Sequence, residues 1–189
     1  MTRELAWHFL AGGPEGPHLR DGRPLEVGRW YEHEGPLVLC HSGYHASTRA
    51  LDALRYAPGP WVSLCEIGGE ILRGGDKVCV RRRRALWAAD AAATLRLFAC
   101  SCALDVAHLW AMPAVVRRYL ETQDETLRYA AGAAAGAAAH AAAAGDAVRY
   151  AAHAAAAAVP DADAPGYAAN QHLESLLWAL GQDFTGELE

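Results

Sequence analysis

The segment Asp124 to Val159, DETLRYAAGAAAGAAAHAAAAGDAVRYAAHAAAAAV, constrains this chain more than any other. Alanine has the highest helix propensity of any residue, so the segment predicts helix despite Gly132, Gly136 and Gly145. Within it Leu127-Arg128-Tyr129-Ala130-Ala131 returns as Val148-Arg149-Tyr150-Ala151-Ala152, 21 positions later. Small side chains let another helix approach closely, so a tight helix–helix contact is expected, within the chain or between copies. The two Arg-Tyr pairs either frame a symmetric pocket or lie on the exposed side of the helix. Apolar residues make up 52% of the chain, but alanine inflates that figure and buries little area per residue.

The chain changes character near Arg84. Before it, short apolar runs are separated by Gly and Pro; after it come helix formers with few β-branched residues. The expected class is α+β: a small antiparallel or mixed sheet with one short helix, then an Ala-rich helical bundle. Residues 1–84 form the β-rich domain with a helix near 48–57, residues 85–182 a helical region packed on it, and 183–189 a frayed tail. Leu5–Leu10, Val27–His33, Leu37–Cys40, Trp61–Ile67, Ile71–Leu72 and Lys77–Arg83 read as strands, with a turn or bulge at Gly68-Gly69. Ser47 or Thr48 is the expected cap of the short helix, and Pro58-Gly59-Pro60 closes it. Ala85–Trp110 has helical spacing, and Pro113 opens a helix over Ala114–Glu121. A last amphipathic helix buries Leu173, Leu176, Leu177 and Leu180.

A net charge of -5 excludes any global attraction to nucleic acid or an anionic membrane. No apolar run reaches the length of a membrane span, and Met1–Leu10 lacks signal-peptide architecture. The 5 cysteines are an odd number scattered through apolar segments, which points to reduced thiols and a cytoplasmic setting.

Cys40, His41 and His45, with His33 nearby, invite a metal or thiolate reading. No CxxC and no second paired cluster completes a tetrahedral set, and Gly43 breaks the helix that would align the two histidines. The group reads as core and turn residues, with no catalytic residue and no cofactor assigned. Arg81-Arg82-Arg83-Arg84 is the stronger signal. On a regular strand Arg81 and Arg83 share a face with Lys77, the sole lysine, making a cationic stripe suited to an anionic ligand. Aromatic residues supply stacking surfaces. The candidate ligand-binding set is Tyr44, His45, Ser47, Tyr56, Lys77, Arg81 and Arg83.

Gly43-Tyr44-His45-Ala46-Ser47, the later Tyr56-Ala57-Pro58-Gly59, Asp76-Lys77 and Arg84-Ala85-Leu86-Trp87 together resemble an uncharacterised domain family of bacteriophages and actinobacteria. Asn170-Gln171-His172-Leu173-Glu174 is similar to that family's closing helix, with the first pair transposed. A more distant likeness is to ADP-ribosyltransferase-type domains. It implies that Tyr44, His45 and Ser47 line a nicotinamide pocket and that Glu66 or Glu70 orients a ribose, with Trp7-His8-Phe9 as the only first-strand candidate.

The expected function is non-catalytic capture of an anionic small molecule such as a nucleotide. The phage resemblance implies a counter-defence setting in the host cytoplasm. Two alternatives stand beside it: an enzyme acting on NAD, and an interaction module that forms homo-oligomers through its Ala-rich helices.

Overall fold

A computed structural model describes residues 3–105, 107–142 and 165–185. The chain divides into two compact units, Met1–Leu95 with Asn170–Glu189, and Arg96–Ala169. The class is the α+β one expected: a curled antiparallel sheet with a short helix, then helices.

The first unit contains β1 (Glu4–Gly13), β2 (Gly16–His18), β3 (Tyr31–Glu32), β4 (Tyr44–Ala46), α1 (Ala50–Leu54), β5 (Trp61–Arg73) and β6 (Val78–Asp90). Strand order is β2-β1-β5-β6-β3, and β4 also pairs with β6. The sheet curls until Ser47, directly after β4, meets Trp7 of β1 through two backbone hydrogen bonds of 2.7 and 2.9 Å. A closed circuit β1-β5-β6-β4 results, and a tightly curled sheet leaves room only for small or slender groups inside. Its buried cluster is Ala6, Ala46, Cys65, Ile67, Val78, Val80 and Ala85, with Leu25, Tyr44 and Ile71 against it.

Two register shifts between β5 and β6 help the sheet to curl, one at Leu64/Cys65 and one at Gly68/Ile71. The second is built on Gly69 at φ +75°, where a Cβ would lie 2.7 Å from Cβ of Arg81. It breaks the alternation along β6. Val80 and Ala85, five positions apart, therefore both enter the interior cluster, which a regular strand forbids.

The last helix, α5 (Pro165–Thr185), closes another part of the first unit through its residues from Asn170 onward. Leu173 and Leu177 are fully buried, and Trp178 meets Trp7 edge-on at 5.8 Å. Trp7 in turn meets Trp87 at 6.0 Å. At Gly181 a Cβ would overlap the Trp87 ring at 2.6 Å, so this contact requires glycine. The same helix caps α1. Oε1 of Glu174 accepts from the Ala50 N–H and Oδ1 of Asn170 from the Leu51 N–H, both at 3.0 Å. The expected local cap at Ser47 or Thr48 is not used: the N-cap is Arg49, whose side chain makes no capping hydrogen bond.

The second unit includes most of α2 (Ala92–Asp105), α3 (Ala114–Thr122) and α4 (Arg128–Ala142), with α3 packed on α4. Pro113 is the α3 N-cap, and Gln123 ends that helix in the left-handed conformation. A Cβ at Gly132 or Gly136 would meet nothing within 4 Å among the described residues, so the close helix contact expected there is not made by them. Tyr129 is 90% exposed and Arg128 pairs with Glu125 at 3.4 Å, whereas Arg149 and Tyr150 lie outside the described residues.

Several expectations differ in detail. Ala85–Asp90 continues β6 instead of starting a helix, because its pairing with β5 and the burial of Trp87 override the helix propensity of its alanines. Val27–His33 contributes only Tyr31–Glu32 to the sheet, after Gly28 turns the chain at φ +82°. Leu37–Cys40 is a turn closed by a Val38–Ser42 bridge rather than a strand. The helix α5 runs through Gly181 to Thr185, where a frayed end was expected from residue 183.

Replacing Asn170 or Glu174 by Ala strips a cap from α1. Each change is expected to lower unfolding free energy by about 1 kcal/mol, measured as a fall in urea midpoint at unchanged m-value.

Candidate functional site

Arg83 enters the curled sheet from β6, paired in register with Ile67 of β5 and Tyr31 of β3. It is 6% exposed. Its Nη1 donates to the backbone carbonyl of His45, and its guanidinium lies 5.5 Å from the centre of the Tyr44 ring. Tyr31 and Tyr44 stand 6.2 Å apart, tilted against each other. The Tyr31 hydroxyl accepts from the Glu26 N–H at 2.9 Å, which leaves its own proton free to donate. Among the described residues no carboxylate pairs with Arg83, and the His45 carbonyl is its one hydrogen-bond acceptor.

Two histidines share this environment. His8 on β1 is half-buried, and its Nδ1 is enclosed with no hydrogen-bond partner among the described residues. Burial, the Arg83 charge and His45 hold its pKa well below the ordinary 6.5. His45 is fixed by its neighbours. Cys40 adopts a left-handed backbone at φ 67° and its N–H donates to Nε2 of His45 at 2.9 Å, so Nε2 is an acceptor and Nδ1 bears the proton. Burial lowers the His45 pKa too, with the charges of Lys77, Arg83 and Arg20 acting the same way against a backbone hydrogen bond at Gly43. Cys65 completes the group. Burial pushes its thiol up, and Arg83 pulls it down less strongly, so it stays protonated. Ser63 is occupied, its hydroxyl donating to the His8 carbonyl at 3.1 Å. At neutral pH the interior therefore holds one cation among neutral groups. That arrangement can bind an anion.

Of the residues singled out from sequence, Tyr44, His45 and Arg83 come together here. Ser47 is buried in its backbone bridge to Trp7. Tyr56 and Lys77 form an exposed group of their own: Nζ of Lys77 lies 3.7 Å from the Tyr56 ring centre and 3.5 Å from Sγ of Cys40, and the Tyr56 hydroxyl donates to Asp76 at 2.5 Å. Arg81 is held by Glu70 at 2.6 Å and by the carbonyls of His33 and Gly35. It borders an open depression lined by Glu32, His33 and Glu34, two of them acidic. Lys77, Arg81 and Arg83 thus make no common exposed stripe. The Gly69 irregularity sends Arg83 inward with Val80, which the assumption of a regular strand missed.

The ligand-binding set drawn from the sequence omits Tyr31, named there only among the stacking aromatics with Trp30, Tyr44, Tyr56 and Trp61, and His8, named only within Trp7-His8-Phe9. The signal for His8 was present: one imidazole among the apolar residues of Leu5–Leu10. Glu66 and Glu70, the carboxylates implied by the transferase likeness, are both in ion pairs, Glu66 with Arg84 at 2.7 Å and with Arg3 at 3.8 Å, Glu70 with Arg81. The remaining arginine of the run, Arg82, lies with Arg84 against the Trp30 ring, at 4.8 and 4.9 Å. No group of residues suited to a metal ion occurs among the described residues.

His8 gives the fold a defined acid sensitivity. Unfolded, it takes a proton near pH 6.5; folded, it resists protonation, so the unfolded state gains protons first as pH falls. Its contribution is complete above that value and declines below it. Urea midpoints are expected to drop between about pH 6.5 and 5, and His8→Gln should show a shallower drop over the same window. Equal slopes in the two proteins would remove His8 as the source.

Residues 19–97 match a family described as a domain of unknown function, DUF7666, which is consistent with the expectation of an uncharacterised family. The match takes in β3 to β6, and with them Tyr31, Tyr44, His45, Cys65 and Arg83, but leaves out β1 and its His8. No curated protein and no solved structure matches the chain.

Proposed function

We propose that the protein is a non-catalytic binding module for an anionic small molecule of nucleotide type, anchored by Arg83. One observation carries this reading: a buried guanidinium that faces neutral groups and has no carboxylate partner among the described residues. Removing an unpaired ion from water costs several kcal/mol, and a slender apolar side chain would fill the same space at lower cost. Guanidinium groups grip phosphate through paired N–H donors, so a phosphate-bearing ligand restores what burial removes. Tyr31 and Tyr44 provide faces for a planar group, and Lys77 and Arg20 add positive potential around His45.

Binding is preferred to catalysis on NAD because Glu66 and Glu70 are engaged by arginines. In the phage setting that the motif suggests, sequestration of a host nucleotide signal is the role that fits such a module.

The test combines binding with stability. A nucleotide that binds should raise Tm, by the equivalent of about 2.7 kcal/mol when present at one hundred times its Kd. Arg83→Met should abolish that response while keeping or raising the stability of the unliganded protein, and Arg81→Ala should retain the response. An undiminished nucleotide response in Arg83→Met rules the anchor out. Release of nicotinamide from NAD would move the protein to the enzymes.

A further inference from the structure

We propose that the anion held by Arg83 is a terminal phosphate, a monoester dianion, and that it binds with uptake of one proton by His8. This rests on Arg83 being the anion anchor and goes further by naming the phosphate class and a second charged contact.

The argument starts from charge balance. A phosphodiester or a carboxylate carries one negative charge, which Arg83 alone can match. A terminal phosphate carries nearly two at neutral pH, since its second pKa is about 6. Inside a curled sheet a residual negative charge is costly, so a second positive group must come from the protein or from solvent.

The groups around His8 show which one can supply it. Arg83 approaches from β6 and His45 from β4, with Cys65 on β5, Tyr31 on β3 and Tyr44 on β4 around Arg83 itself. Nε2 of His45 is already committed to the Cys40 N–H. Cys65 and the tyrosines are neutral and cannot become cations. Of these groups only His8 has an enclosed ring nitrogen with no hydrogen-bond partner among the described residues. In the free protein the Arg83 charge opposes its protonation. An anion on Arg83 reverses that field, so the imidazole takes a proton from solvent and gains an N–H able to make a charge-assisted hydrogen bond. The side chain is only half-buried, which gives the proton a path in. No covalent bond changes; the complex differs from its parts by one proton.

The experiment uses the full chain with adenosine 5′-monophosphate, a terminal phosphate, and adenosine 3′,5′-cyclic monophosphate, a diester. Titration calorimetry at pH 7.5, in buffers of different ionisation enthalpy, counts protons taken up on binding. The expected result is at least about tenfold tighter binding of the monoester, a difference of about 1.4 kcal/mol, with close to one proton taken up. The diester should take up almost none, and His8→Gln should lose both the uptake and the preference. The wild-type proton count decides even where the variant is unstable. Equal affinities without proton uptake overturn this inference and leave the Arg83 site standing. Uptake that persists in His8→Gln overturns it as well, because the proton then resides elsewhere. Binding of neither nucleotide removes the Arg83 anchor together with its refinement.

Discussion

The paired backbone hydrogen bonds between Trp7 and Ser47 turn a sheet into an enclosure. Without them β1 and β4 would be separate edges, and the face carrying Ala6, Cys65 and Ala85 would be open to water. With them the curl is so tight that three of the seven interior cluster residues are alanines. Ile67, Val78 and Val80 share that interior with them, and Arg83 enters it from β6 opposite Ile67. The chemistry of the site follows from the radius of the curl.

The helix α5 supports this enclosure from sequence positions far removed from it. Its Trp178 meets Trp7 and its Gly181 lies against Trp87, the tryptophan pair of β1 and β6. Its Asn170 and Glu174 hold the first turn of α1, which begins four residues after β4. A helix of five residues is below the length at which helices persist unaided, so these two capping bonds matter more than they would in a long helix. One amphipathic helix thus steadies both sides of the Trp7–Ser47 junction.

The sequence disclosed the class and the order of its elements because both depend on local pattern. Leu5–Leu10 and Trp61–Leu72 have the composition of strands, Pro113 opens a helix, and alanine runs have no competing structure. What stayed hidden depends on partners distant in the chain. Ala85–Asp90 reads as helix until Trp61–Cys65 pairs with it. The cap of α1 could not be found near Ser47 because it comes from Asn170 and Glu174. At the site, the Gly43–Ser47 motif led to Tyr44 and His45, and the arginine run led to Arg83. Its direction was misread, since a single irregularity at Gly69 inverts which arginine faces inward. Period-two reasoning has no way to count a residue that the partner strand skips.

An unpaired interior cation also couples stability to occupancy. Among the described residues, Arg83 holds its charge against desolvation with one carbonyl and one aromatic face, while Nδ1 of His8 is enclosed without a partner. On the proposed reading one bound anion would relieve both, and by linkage it would add to the stability of the folded form. An apolar residue in place of Arg83 would give a firmer barrel with no such dependence. On the proposed reading, that contrast separates a residue retained for recognition from one retained for folding.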